Sequence, residues 1–245
     1  FSETVLKQVA SSITLIDDQA KSFIKRNIDF SKPIKWSIEG PIDSNYSLAI
    51  LNRNFIQSML ETNIDVYLRC TEGPGDYKPN LSFLKQYKNI FDIYSRDQVI
   101  CDITSRNLYP PRVDDSQSEL NLLHAYGWEE TEFPSDWVEN FNKYLDGITV
   151  MSYFVKNLLI NNGVSIPIKV CGLGIEHINY LLPQADFTIN AKKYKFLHVS
   201  SCFPRKGISF LLKAFGTAFT KYDDVSLIIK TSPNPHNNVS KILNQ

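Results

Sequence analysis

From Ile34 onward the chain alternates strand-like apolar runs with helical apolar stripes, and that alternation restricts it to few folds. The strand-like runs are Lys35–Glu39, Asp65–Cys70, Phe91–Ser95, Asn121–His124, Ile148–Ser152, Ile168–Cys171, Lys195–Ser200 and Ser226–Thr231. Between several of them apolar residues recur every three or four positions, as in Leu48, Leu51, Phe55 and Met59, in Trp137, Phe141 and Tyr144, and in Val155, Leu158 and Leu159 before the stop signal Asn162-Gly163. Val- and Ile-rich inner strands joined by helical crossovers predict parallel sheets with helices on their faces, an α/β doubly wound architecture.

Three segments follow from this reading. Residues 1–30 form an N-terminal amphipathic helix or linker, with Val5, Val9, Ile13, Ile16, Ala20, Phe23 and Ile24 on one stripe, packed on the next domain or leading to one upstream. Residues 31–183 form a complete Rossmann-like domain, and the run Leu182–Phe187 reads as a crossing to a second one. Residues 184–245 hold only strand, helix, strand and the beginning of another helix, too little to bury both faces of a sheet. The chain also begins at Phe1, so the expectation is a piece of a longer polypeptide whose remainder completes this second domain.

Composition narrows the function classes. Twenty-six basic and twenty-six acidic residues cancel, so no net field draws the chain to nucleic acid. No apolar run approaches the roughly 20 residues of a transmembrane segment, and the N-terminus lacks a secretory pattern. The expected location is cytoplasmic, or peripheral at an inner membrane. Cys70, Cys101, Cys171 and Cys202 lie far apart without C-x-x-C spacing, which argues against a disulfide framework or a zinc site. The Asn-x-Ser triplets at Asn45, Asn80 and Asn238 read as chance.

The richest local signal is Lys195–Gly207, a buried strand and a short loop ending in Arg205-Lys206-Gly207, followed by an apolar-striped helix from Ile208 to Tyr222. Free helix amides beside two cations suit a phosphate or diphosphate. The segment resembles the start of the donor domain in retaining glycosyltransferases of the GT-B fold, particularly family 4. By that resemblance Lys206, Arg205 and Ser201 would bind the donor diphosphate, although Ser200-Ser201 stands where the family carries Gly-Arg. His124, after the fourth strand, matches by location a His that lies near the transferred sugar, and is the catalytic candidate. The loop Asp43-Ser44-Asn45-Tyr46 occupies the place of the family's Gly-rich first loop, so Asp43, Ser44 and Tyr46 would border the acceptor cleft. Trp128, Glu129 and Glu130 supply an aromatic surface and carboxylates for sugar hydroxyls there. Cys171–His177 is similar to the family's hinge segment, departing at Leu173 and Glu176.

The resemblance implies a GT-B-like pair of Rossmann-like domains and a hexosyltransferase. The enzyme would move a sugar from a nucleoside diphosphate sugar to a glycan acceptor, with retention of configuration, in bacterial polysaccharide or glycoconjugate synthesis. No Asp-x-Asp pair occurs, so no metal or other cofactor is expected. The truncated chain alone would be inactive. The alternative is a non-catalytic GT-B-like module that binds a glycan or scaffolds a partner.

Overall fold

A computed structural model describes residues 28–29, 31–175, 178, 186–232, 237 and 239–243. The N-terminal amphipathic pattern falls almost wholly outside them, as do Glu176 and most of the crossing at Leu182–Phe187. The chain divides into two compact units, Phe1–Leu181 and Leu182–Gln245.

The first unit runs β1 (Ile34–Glu39), α1 (Ser47–Leu60), β2 (Ile64–Arg69), a small antiparallel ribbon of β3 (Thr71–Glu72) and β4 (Gly75–Asp76), then α2 (Leu81–Leu84) and α3 (Lys88–Tyr94). It continues through β5 (Ile103–Arg106), β6 (Leu120–Tyr126), α4 (Ser135–Tyr144), β7 (Gly147–Val150), α5 (Tyr153–Asn161) and β8 (Ile168–Val170). Six strands form one parallel sheet in the order β2-β1-β5-β6-β7-β8. The unit is therefore a Rossmann-like α/β fold, and its strand order reverses once, between β1 and β5. At such a switch point the connections leave in opposite directions and open a crevice at the strands' carboxyl ends.

Strand alternation decides what each face of the sheet can bury. On one face Ile38, Val66 and Leu68 meet Ile56 and Met59 of α1 and Ile90 and Ile93 of α3. On the other, Leu123, Ile148, Val150 and Ile168 meet Val138 and Phe141 of α4 and Val155, Leu158 and Leu159 of α5. That second face changes character toward β1 and β2, where it carries Ser37, Glu39, Arg69, Thr104 and Arg106. Loop residues 98–101 and 115–118 border it there.

One sequence expectation needs correction. The run Phe91–Ser95 is not a strand: Lys88–Tyr94 is α3, because Ile90 and Ile93 fall one turn apart and both enter the core. The strand of that region is Ile103–Arg106, paired with β1 and β6. Tyr46 precedes α1 and Pro134 precedes α4, neither with a side-chain cap. Asn80, one of the Asn-x-Ser residues, accepts from Phe83 N at 3.2 Å and caps α2.

In the second unit β9 (Tyr194–Val199) pairs in parallel with β10 (Val225–Lys230), with a 3-10 turn (Pro204–Lys206), α6 (Ile208–Ala218) and α7 (Val239–Leu243). Phe196, Leu197 and Val199 remain 50%, 66% and 60% exposed. Parallel strands are ordinarily covered on both faces, and among the described residues these are not.

Candidate functional site

The switch point is built around a glycine. Gly40 follows β1 with φ +152°, and a Cβ there would lie 2.4 Å from both Asn107 O and Asn52 Nδ2. The close approach lets Asn52 of α1 donate to Pro41 O at 2.9 Å and to Asn107 O at 3.0 Å, tying the chain after β1 to the chain after β5. Gly40→Ala is expected to lower stability by about 2–3 kcal/mol, through overpacking and an unfavourable φ. Tryptophan-monitored urea unfolding measures this cleanly, because Trp36, Trp128 and Trp137 all lie in the first unit.

His124 belongs to the same knot and does not face a cleft. Its side chain is buried, with Nε2 at 2.9 Å from Asn52 Oδ1 and the ring stacked on Phe55 at 4.5 Å. Burial pushes its pKa down to about 3, against a weak opposing interaction with the Ser105 backbone. The enclosed imidazole is bonded to Asn52 inside the first unit. Alternation puts His124 opposite Leu123, on the face that α1 covers. A β-bulge follows it, with the register of β6 shifting between Leu123 and Tyr126 and Ala125 at φ +48°, and this turns Tyr126 toward Phe133 and Phe141.

The loop after β1 is fastened from below and from the side. Arg53 Nη1 donates to Ile42 O at 2.5 Å and Ser44 O at 2.6 Å, with its guanidinium over the Phe83 and Tyr87 rings. The Asp43 carboxylate accepts from Asn80 N at 2.7 Å and from Tyr77 Oη at 3.1 Å. Tyr46 donates its hydroxyl to Glu72. Asp43 and Tyr46 thus join the loop after β1 to the segment after β2, while Ser44 Oγ is buried without a partner. Trp128 packs edge-on against Phe133 at 5.0 Å and Trp137 at 5.6 Å, and donates Nε1–H to Glu132 O at 2.8 Å. Glu129 and Glu130 are exposed beside it.

A buried charged constellation was not anticipated from sequence. Glu39 and Arg106, the last residues of β1 and β5, form an ion pair at 2.6 Å with side chains 7% and 1% exposed. Arg106 also donates to Asp115 and to Arg112 O at 2.8 Å, and Ser37 Oγ donates to Glu39 Oε1 at 3.1 Å. Arg69 reaches Asp76 at 2.6 Å, while Arg112 spans Asp76 at 3.3 Å and Asp115 at 3.4 Å. The Arg69 hydrogen bond holds Asp76 below the usual carboxylate range. Burial would raise Asp115, but the bond and charge of Arg106 outweigh it and lower its pKa. Glu39, Arg69, Asp76, Arg106 and Asp115 line a cavity of about 660 Å³ together with Thr104 and Ser118. Cys70 and Cys101 also border it, their thiols pushed up to about 12 and about 11 by burial, so they stay protonated at neutral pH. A signal did exist: Glu39 closes the alternating strand Ile34-Lys-Trp-Ser-Ile-Glu on its polar face, and Arg106 ends the run Ile103-Thr-Ser-Arg.

In the second unit, β9 leads through a loop and the turn Pro204–Lys206 into α6. Gly207 takes φ +71° at the helix start and supplies no side-chain cap. Arg205 and Lys206 are exposed on that turn, and slight desolvation together with the Arg205 charge lowers the Lys206 pKa. Ser201 lies in the loop, half-buried, next to the fully buried Cys202.

Among the described residues no helix is long and apolar enough to cross a membrane. No protein-family model and no curated protein matches the chain.

Proposed function

We propose that this chain is the acceptor-side domain and the opening of the donor domain of a glycosyltransferase that uses a nucleoside diphosphate sugar. The observation that supports the reading is the order β9, Pro204–Lys206 turn, Gly207, α6: two adjacent cations precede an eleven-residue helix that carries no side-chain N-cap. Charge that develops on a departing diphosphate would be met there by Lys206, Arg205 and the first amides of α6, a preorganised electrostatic arrangement. Ser201 would contribute a hydroxyl from the same loop. The acceptor would approach the carboxyl ends of β1 and β5, bordered by Asp43, Ser44, Tyr46, Trp128, Glu129 and Glu130. His124 serves this reading as a positioning residue, holding Asn52 against Pro41 and Asn107. Its burial also favours a second reading, a non-catalytic glycan-binding module, because it removes the one imidazole expected at the reacting centre.

Lys206→Ala is expected to weaken UDP or GDP binding by about 1.5–3 kcal/mol, roughly 10- to 100-fold, the worth of one charge-assisted contact. Isothermal titration of the chain measures it, and equal affinity of variant and wild type removes Lys206 from the site. Release of nucleoside diphosphate from a sugar nucleotide separates the transferase from the binding module.

A further inference from the structure

We infer that the cavity between the polar sheet face of β1, β2 and β5 and residues 98–101 and 115–118 is a binding site for a neutral carbohydrate of one or two sugar rings. This assignment is independent of the phosphate chemistry at Lys206, since every wall belongs to the first unit. Its volume of about 660 Å³ falls within the ~300–1,000 Å³ of small-molecule sites.

The polar floor argues for a polar occupant. Ser37, Glu39, Thr104 and Arg106 are each at least nine-tenths buried, and none would meet an apolar helix favourably. A buried ion pair is also a costly way to fill a sheet face, because apolar residues of similar volume do as well or better for stability. Its presence on a cavity wall points to recognition.

Charge balance selects the class of ligand. The wall guanidinium groups of Arg69 and Arg106, with Arg112 paired to Asp76 and Asp115 from outside the cavity lining, are matched by the three wall carboxylates of Glu39, Asp76 and Asp115. No cationic excess is left to draw a phosphate, and no anionic excess to draw an amine or metal ion. What the walls offer is a fixed, interleaved set of donors and acceptors, extended by the Thr104 and Ser118 hydroxyls, which share a hydrogen bond at 2.7 Å. Sugar hydroxyls donate and accept at adjacent atoms, so they match such a set. Tyr77 and Tyr94 border the cavity and offer ring surface to the apolar C–H face of a pyranose.

Saturation-transfer NMR on the whole chain tests this, with glucose, galactose, mannose, N-acetylglucosamine, maltose and cellobiose as probes. At least one should bind saturably with Kd of about 0.1–1 mM. The paired change Thr104→Val with Ser118→Ala should weaken it roughly tenfold, and the rim change Gln117→Ala should weaken it measurably without touching the buried floor. Neither sulfate nor UDP at the same concentration should displace the sugar, which keeps this result separate from any result at Lys206. The inference is overturned if no probe saturates, if sulfate competes as well as the sugar, or if both sets of variants bind like wild type.

Discussion

Arg106→Met should be the most damaging single change in the first unit, lowering its unfolding free energy by about 3–5 kcal/mol. The Glu39 carboxylate, 7% exposed, would lose the guanidinium that holds it at 2.6 Å and remain buried with only the Ser37 hydroxyl as a donor. Set against the ~5–15 kcal/mol total of an ordinary domain, that loss removes a large share of stability. The paired change Glu39→Met with Arg106→Met should restore most of it, because the uncompensated charge disappears and Asp115 still faces Arg112 at 3.4 Å. Tryptophan fluorescence during urea unfolding reads both variants. If Arg106→Met unfolds at the wild-type midpoint, the ion pair is not a determinant of this unit.

Acid should weaken the first unit well before its carboxylates titrate, and His124 is the cause. In the unfolded chain an imidazole gains a proton below about pH 6.5, whereas folded His124 resists protonation down to about 3. The folded pKa is depressed, so the unfolded state binds more protons in that window and stability falls as pH falls. The slope approaches about 1.4 kcal/mol per pH unit below pH 6, and the loss between pH 6.5 and 4.5 is about 2 kcal/mol. Asp76 and Asp115, also depressed, add their own loss only below about pH 4, as pH falls through their folded values. His124→Gln, whose amide can still donate toward Asn52, should flatten the dependence between pH 6.5 and 4.5. A variant that keeps the wild-type slope would show that the imidazole is protonated in the folded state.

Periodicity made most of the parallel sheet legible, because β1, β2, β6, β7 and β8 carry aliphatic residues toward a helix. It failed at β5, where only Ile103 is aliphatic and the partners of Thr104 and Arg106 are polar groups on β1 and in the following loop. A strand that buries an ion pair looks like a loop in sequence. It also failed on the buried stripe of α1, which is Ala49, Asn52, Arg53, Ile56 and Met59, rotated from the apolar set Leu48, Leu51, Phe55 and Met59. Asn52 and Arg53 turn inward because they hold the carbonyls of Pro41, Ile42, Ser44 and Asn107. His124 lies inside β6, two residues before its end at Tyr126, and faces α1, and nothing in Leu122-Leu-His-Ala-Tyr announces that the strand continues through a bulge to Tyr126. The turn before α6 was easier to read, because Pro, Gly and two adjacent cations each impose a local conformation or charge without help from distant residues.

Amide chemical-shift mapping of the chain with UDP and GDP tests the nucleotide-sugar reading most directly, because it detects weak binding and reports where it occurs. The reading predicts shifts of the Lys206, Gly207, Ile208 and Ser209 amides that grow with nucleotide concentration and collapse in Lys206→Ala. Shifts confined to other residues, or shifts around Gly207 that persist unchanged in Lys206→Ala, would contradict it.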